Sequence, residues 1–288
     1  MNKQISNKPK SYKELLNLPD NLNKKLPTSY DVIGNILILK LDPELVRYKT
    51  EIGHILLKIN KNIKTVCLTQ PVRGELRTRD MEIIAGEKST ETTHKEFGLK
   101  FKVDVKKTYF SPRLATERKH VTDLVKNGEI VVDMFAGVAP FSIMIAKYAN
   151  PKIVYAFDKN KDAVRYAKDN VKINNVLDRV KVIYSDAKKS QYILDQEGAK
   201  ANRIIMNLPF SSHLFFGSAL KIIANFAIIH YYDILKEKEI DIRIKNLKKI
   251  AEKNEITLKN FDIRKIKTYA PREFYIGIDI TAKRNTPM

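Results

Sequence analysis

The chain has 288 residues, of which 43% are hydrophobic and 30% are charged. That hydrophobic content can fill real cores, so the composition excludes a chain that is disordered throughout. Lysine and arginine outnumber aspartate and glutamate by 53 to 33, which gives a formal net charge of +20. Such an excess favours a polyanionic partner, most simply nucleic acid, although solvated surface lysines would give the same count.

Cysteine, histidine and apolar runs set further limits. Cys67 is the single cysteine, so the chain can form no internal disulfide, and five scattered histidines show no metal-ligand spacing. The sequence has no long apolar run, and the start MNKQISNKPK lacks the apolar core of a signal peptide. We expect a cytoplasmic, monomeric protein that binds neither a metal nor a membrane.

The first half of the chain predicts an arm followed by a small domain. Residues 1–27 are polar and lysine-rich, with three prolines, and predict a basic flexible arm with one short helix around YKELLNL. Residues 28–107 predict a small α+β domain. Its expected elements are a strand VIGNILILKL, a helix PELVRYKTEIGHILLKIN, a strand TVCLTQ, and short strands in RDMEIIAGE and LKFKVDVKKTYF. The helix SPRLATERKHVTDLVKN follows closely.

Residues 108–288 predict strands that alternate with helices. The strands are VVD, KIVYAFD, RVKVIYSD, RIIMNLP and NFAIIHYYD, with a long helix over 234–253 and a final antiparallel pair, FDIRKIKTYA and REFYIGIDITA. Alternation of this kind implies right-handed βαβ units in a mostly parallel sheet, with ligands beyond the carboxyl ends of its strands. The fold class is therefore α/β and Rossmann-like, with a C-terminal antiparallel strand.

Four successive strands end on polar residues: Asp133, Asp158, Asp186 and Asn207, the last followed by Pro209. Asp158 is placed to accept from two ribose hydroxyls and Asp186 from an adenine amino group, although either could simply cap a helix. After Asp133 comes a glycine turn without GxGxxG, and Pro140 opens a helix. This order resembles the Rossmann-like S-adenosylmethionine-dependent methyltransferases. The resemblance implies that cofactor, held by Asp133, Phe135, Gly137, Asp158, Asp186 and Asn207.

Several segments make the resemblance more specific: VRGELRTRDMEIIAGE, TTHKEFGLKFKVDV, YFSPRLATER, VDMFAGVAPFSI, IMNLP, IIHYYD and YAPREFYIGIDI. Together they look like the archaeal and eukaryotic family that methylates guanosine 37 of tRNA. The match spans residues 30–280, and it implies that the partner is tRNA, bound through its anticodon stem-loop.

The matched motifs assign roles by resemblance. Glu117 corresponds to the general base, Arg77 to the arginine that stabilises the reacting base, and Arg113 to a contact with the methionine end of the cofactor. Asn207 and Pro209 correspond to residues that grip the target base. These residue types suit the chemistry, because N1 of guanine carries a proton that a carboxylate must remove while a cation steadies charge on O6. From its position alone, Glu117 could instead pair with Arg113 or Arg118 along one helix.

The chain departs from the family pattern in three places. Ala139 replaces the usual second glycine of the turn, and Phe210 stands where many members have a basic residue. Only 29 residues precede Tyr30, so we expect no room for the usual tRNA-inspecting N-terminal domain. A branch of the family methylates C7 of 4-demethylwyosine, a tricyclic base at position 37. Because this base itself identifies the target position, an enzyme acting on it could dispense with the tRNA-inspecting domain.

These departures favour C7 slightly over N1 of guanosine 37, and Phe210 would suit stacking on a larger ring. N1 methylation, or both activities, is the alternative. Aminocarboxypropyl transfer from the same cofactor, exocyclic-amine methylation (from the likeness of NLPF to NPPY) and a non-catalytic RNA-binding module are more distant ones.

Overall fold

The structure is a computed structural model and describes residues 12–69 and 80–286. The chain divides into two compact units, which are described separately. The smaller unit contains Met1–Gly98 and Lys102–Pro112, and the larger contains Leu99–Phe101 and Arg113–Met288. Within the described residues, no helix combines the length and apolarity needed to cross a membrane.

The small unit is built on a four-stranded sheet in the order β1-β2-β3-β4. Its elements are α1 (Asp20–Asn23), β1 (Asp31–Ile33), β2 (Ile36–Leu39), α2 (Lys49–Ile59), β3 (Thr65–Thr69) and β4 (Met81–Gly86), with 3₁₀ turns at Tyr12–Leu15 and Pro43–Tyr48. A two-stranded hairpin follows, formed by β5 (Glu91–Glu96) and β6 (Leu99–Asp104). Strands β2 and β3 are parallel, and the other pairs of the four-stranded sheet are antiparallel.

Two turns account for differences from the expected strands of this unit. The single strand expected over VIGNILILKL is a hairpin, because Gly34 takes a left-handed φ of 57° and folds β1 back on β2. Strand β5 was not predicted from its polar sequence ETTHKE. It pairs with β6 across Phe97 and Gly98, which both have positive φ.

The prediction of a flexible arm over residues 1–27 is wrong for residues 12–26. Tyr12, Leu16, Leu18, Leu22 and Leu26 are all buried in the core of the small unit. The Tyr12 hydroxyl also donates to the Pro27 carbonyl at 2.6 Å. The lysine-rich composition of this segment suggested a flexible arm, but its apolar residues are numerous enough to pack into a core. Burial of each leucine is worth about 1.5–3 kcal/mol.

The large unit contains a seven-stranded sheet in the order β12-β13-β11-β10-β7-β8-β9. Its strands are β7 (Ile130–Asp133), β8 (Ile153–Asp158), β9 (Val180–Tyr184), β10 (Ala201–Met206), β11 (Ile223–Lys236), β12 (Ile256–Ala270) and β13 (Glu273–Arg284). Its helices are α3 (Ala115–Leu124), α4 (Pro140–Tyr148), α5 (Lys161–Ile173), α6 (Ser190–Gln196), α7 (Phe216–Lys221) and α8 (Ile240–Glu252).

This sheet confirms the predicted Rossmann-like class. Strands β7 to β11 pair in parallel, while β13 runs antiparallel to both β11 and β12. The strand order reverses between β7 and β10, and ligands of open α/β sheets bind beyond the carboxyl ends at such a reversal. Asp133 ends β7 and Asn207 directly follows β10, so both lie at this crevice.

The helix expected over 234–253 begins only at Ile240. Residues 234–236 instead extend β11, because Ile234, Leu235 and Lys236 pair with Tyr275, Phe274 and Glu273 of β13. Local pattern could not show this, since the pairing partner lies about 40 residues further along the chain.

Candidate active site

The turn between β7 and α4 is held by backbone geometry and by a neighbouring strand. Gly137 and Ala139 both have left-handed φ, 57° and 65°. Ala139 tolerates a conformation that usually needs glycine and directly precedes Pro140 at the first position of α4. The Gly137 N–H donates to Asp158 Oδ2 at 2.7 Å, so the end of β8 fixes this turn.

Asp133 lies beneath the turn and is 1% exposed. Its Oδ2 accepts from the Ser142 hydroxyl at 2.8 Å, in the first turn of α4. Burial raises the pKa of Asp133 to about 7, against the opposing hydrogen bonds from Ser142 and the Phe135 backbone. Asp133, predicted to help hold the cofactor, therefore supports the start of α4 through its bond to Ser142.

Asp158 and Asp186 occupy the carboxyl ends of the next two strands, as predicted. Asp158 Oδ1 accepts from the Asn160 N–H at 2.8 Å, and burial raises the pKa of this carboxyl. A carboxylate has about four acceptor positions, so Asp158 can still accept from hydroxyls of a ligand. Asp186 Oδ1 accepts from the Lys188 N–H at 2.8 Å and caps a 3₁₀ turn, which is the alternative role considered from the sequence.

The loop after β10 is pinned by Ser212, which is fully buried. Its hydroxyl donates to the Met206 carbonyl at 2.8 Å and accepts from the Leu208 N–H at 3.2 Å. These bonds hold Asn207 half-buried at the strand end and Pro209 buried beside it. Asn207 Oδ1 accepts a hydrogen bond from the Tyr275 hydroxyl.

Glu117 sits in the first turn of α3 and is only 7% exposed. Its Oε1 accepts from the Tyr232 hydroxyl at 2.8 Å and from Arg264 Nη2 at 3.0 Å. The partner expected from helical spacing was Arg113 or Arg118, whereas the observed ion pair is with Arg264, 147 residues away. A buried carboxylate fixed by one cation and one hydroxyl is oriented to accept a proton.

Arg264 connects Glu117 to a second, partly buried acid. Its guanidinium donates two bonds of 2.9 Å to Asp279, whose Oδ1 lies 2.7 Å from His230 Nδ1. Burial opposes ionisation of Asp279, but bonds and charges from His230 and Arg264 hold its pKa below the usual range. Burial lowers the pKa of His230. This bidentate pairing fixes the orientation of Arg264, and so that of Glu117.

Two tyrosines join the predicted groups into one site. The Tyr232 and Tyr275 rings lie 6.2 Å apart, and their hydroxyls contact Glu117 and Asn207 respectively. Tyr232 also packs 6.0 Å from Phe141 of α4. The structure therefore brings Glu117, the loop after β10 and the turn between β7 and α4 together at the carboxyl ends of the central strands.

Other predicted residues are placed less tightly. Phe135 is half-buried in the turn, with its ring edge-on to Phe215 at 5.0 Å. Arg113 is exposed on the 3₁₀ turn before α3. Arg77 lies outside the described residues, so its role remains a prediction. The described residues also contain no group of three acidic, histidine or cysteine side chains placed to hold a metal.

Sequence reasoning missed Tyr232, Tyr275, Arg264 and Ser212. The two tyrosines stand in the motifs IIHYYD and REFYIGIDI, which were used for the family resemblance, so they could have been found there. Arg264 stands in an ordinary lysine-rich strand, where nothing in the local sequence marks it.

Comparison with known families gives two matches. A model described as the TRM5/TYW2 methyltransferase domain matches residues 92–259, and one described as the TYW2 N-terminal domain matches residues 12–90.

Individual relatives fall into two groups by name. The chain is 42% identical over 278 residues to tRNA (guanine(37)-N(1))-methyltransferase Trm5b of Pyrococcus abyssi, covering 96% of this chain and 81% of the relative. The crystal structure of that protein matches with a TM-score of 0.86, at 41% identity, over 97% of this chain and 82% of the other.

The second group acts on a different base. The chain is 36% identical over 256 residues to tRNA(Phe) (4-demethylwyosine(37)-C(7)) aminocarboxypropyltransferase of Methanocaldococcus jannaschii, covering 88% of this chain and 98% of the relative. The crystal structure of P. horikoshii TYW2 in complex with MeSAdo matches with a TM-score of 0.77, at 31% identity, over 96% of this chain and 98% of the other.

Proposed function

The chain belongs to the TRM5/TYW2 methyltransferase family, and we propose that it transfers the methyl group of S-adenosylmethionine to N1 of guanosine 37 in tRNA. The observation that carries this choice is the 42% identity, across 96% of the chain, to a relative named for that reaction. The net charge of +20 suits a tRNA partner.

The slight preference for C7 methylation of 4-demethylwyosine gives way to N1 on the same ground. The relatives of higher identity, at 42% and 38%, are both named guanine-37 N1 methyltransferases. Two relatives named for C7 of 4-demethylwyosine stand at 36% and 34%, and both are named as aminocarboxypropyltransferases. N1, the alternative in the sequence analysis, is therefore the better-supported acceptor.

The site residues suit methyl transfer to a protonated ring nitrogen. The methyl group moves from a sulfonium by in-line displacement, so the protein must position both reactants and free the lone pair of N1. Glu117 takes the N1 proton, and Tyr232 and Arg264 hold its carboxylate in place. Asn207 and Pro209 form the wall against which the target base lies.

The crevice beyond β7 and β8 would hold the cofactor. Asp158 would accept from its ribose hydroxyls, and it already fixes the turn through the Gly137 N–H. Asp133 supports the start of α4 through Ser142, and the turn brings backbone N–H groups close to the ligand. S-adenosylmethionine supplies the electrophilic methyl group when it is bound here.

A second candidate is aminocarboxypropyl transfer to C7 of 4-demethylwyosine. One observation favours it: residues 12–90 match the model described as the TYW2 N-terminal domain. Both candidates use the same cofactor and tRNA position, but a different carbon of the sulfonium reacts.

One experiment tests the proposal against this candidate. The purified protein is incubated with S-adenosylmethionine labelled either in the methyl group or in the aminocarboxypropyl group. Each labelled cofactor is offered with two tRNAs, one bearing guanosine 37 and one bearing 4-demethylwyosine, and the products are identified by nucleoside mass. Methyl label in N1-methylguanosine supports the proposal. Aminocarboxypropyl label in the tricyclic base alone would reject it and support the second candidate.

A further inference from the structure

Two exposed aromatic rings lie close together at the loop after β10, which contains Asn207 and Pro209. Phe210 follows Pro209 directly, and Tyr269 lies near the end of β12. The ring centroids are 5.5 Å apart with an interplanar angle of 75°, yet the two residues remain 50% and 54% exposed. Aromatic side chains of this size usually bury far more of their area, so the pair leaves a substantial ring surface facing solvent.

The backbone of Phe210 is held in an unfavourable conformation. Its φ is 72°, in the left-handed region that bulky residues rarely occupy. The Phe210 N–H donates to Asp233 Oδ1 at 3.1 Å. Such strain persists only where surrounding structure enforces it, and here a buried carboxylate does so.

Asp233 is itself fixed by a buried network. It is fully buried; its Oδ2 accepts from the Tyr231 hydroxyl at 2.6 Å and lies 3.1 Å from Arg243 Nε. The chemistry proposed for the transfer uses none of these groups. Their shared effect is to anchor the backbone that holds the Phe210 ring beside Tyr269.

The C-terminal hairpin, which carries Tyr269 on β12, also carries cations. Tyr275 of β13 bonds Asn207, and Lys267 Nζ lies 5.2 Å from the centroid of the Tyr275 ring. Arg272, in the turn between β12 and β13, is exposed. Exposed aromatic rings flanked by cations are how proteins bind single-stranded RNA, because a base stacks on the ring while the cations face its phosphates.

We propose that Phe210 and Tyr269 form a stacking site for one unpaired base of the substrate RNA, with Asp233 holding Phe210 in position. The occupant is a base of the anticodon loop, either the target or an immediate neighbour, because the pair adjoins Asn207 and Pro209. The identification of this loop rests on the proposed function.

The test combines ring removal with base removal. Phe210→Leu and Tyr269→Leu keep apolar side chains but remove the rings, and Tyr148→Leu is the control. Tyr148 is also 50% exposed but lies at the C-terminal end of α4, at the opposite end of the helix from the turn. Affinity is measured by fluorescence anisotropy with an anticodon stem-loop and with three versions that lack the base at position 37 or at either neighbour.

Each ring variant is expected to weaken binding of the intact stem-loop about 5- to 100-fold, the range for loss of one stacked base. Removing one particular base should weaken binding to the unaltered protein by a similar factor. For that abasic RNA, Phe210→Leu should then have little further effect. Thermal stability and S-adenosylmethionine affinity should stay unchanged.

Two results would overturn the stacking site: affinities of both ring variants equal to the control, or losses that persist undiminished on all three abasic RNAs. The second is what a purely structural role of the pair would give. Failure of the proposed function is distinguishable. Coupling between a ring and a base without any N1-methylguanosine would leave the stacking site standing and reject the reaction. Methylation without coupling would do the reverse.

Discussion

Replacing Asp133 by asparagine should change how stability depends on pH. Burial raises the pKa of this carboxyl from 3.8 to about 7 in the folded chain. Between these values the folded protein keeps a proton that the unfolded chain has released. Stability therefore falls as pH rises from about 4 to about 7, and it levels off above that. The Asp133→Asn variant carries no charge at this position, so it lacks this loss.

The magnitude follows from the difference between the two pKa values, since a tenfold change in an equilibrium constant is worth about 1.4 kcal/mol. The raised pKa of Asp133 lowers stability by about 4 kcal/mol at pH 8, where the folded carboxyl is ionised, and by about 1.6 kcal/mol at pH 5, where only the unfolded chain has released the proton. The free-energy difference between variant and unaltered protein should therefore move by about 2–3 kcal/mol in favour of the variant between pH 5 and pH 8. Any constant cost of burying the amide cancels in this comparison.

Urea unfolding followed by circular dichroism at both pH values, without added cofactor, measures this difference. Asp178→Asn is the matched control, because the Asp178 side chain is 72% exposed and carries no comparable burial cost. The reasoning would be refuted if the Asp133 variant and the control showed the same dependence on pH. An opposite sign, with the variant losing stability relative to the unaltered protein as pH rises, would mean that the buried carboxylate stabilises the fold.

Three further predictions concern the reaction. Glu117→Gln should keep cofactor affinity but lower the single-turnover methylation rate about 100-fold or more, because an amide cannot take the proton. Glu252→Gln is the exposed control. An undiminished rate in Glu117→Gln would reject Glu117 as the general base. Arg264→Met should lower kcat roughly 10- to 100-fold with little change in KM for tRNA, and Arg264→Lys should restore part of the lost kcat. An equal loss of kcat in both variants would reject the role of Arg264 in orienting Glu117. Asp158→Ala should weaken S-adenosylmethionine binding about 10-fold or more by calorimetry. Asp162→Ala is the control, with a side chain that is 46% exposed at the start of α5, and it should leave the affinity unchanged. Unchanged affinity for Asp158→Ala would exclude Asp158 from the cofactor site.

The sequence by itself determined the Rossmann-like class and the ends of β7 and β8. Apolar runs that alternate with amphipathic helices dictate a parallel sheet, and its topology brings the carboxyl ends of β7 and β10 to one crevice. Asp133, Asp158 and Asn207 could therefore be placed there from their chain positions alone. The motif YFSPRLATER marked Glu117 before any contact was visible.

Only the tertiary structure decided what those residues contact. Glu117 of α3 pairs with Arg264 of β12, a contact across 147 residues of chain that no local pattern encodes. The same long-range pairing extends β11 to Lys236 and delays α8 to Ile240. Burial, rather than residue type, raises the pKa of Asp133. Leu16 and Leu22 of the expected arm are packed in the core of the small unit. Periodicity reports which residues can be buried, but which surfaces meet depends on contacts between distant parts of the chain.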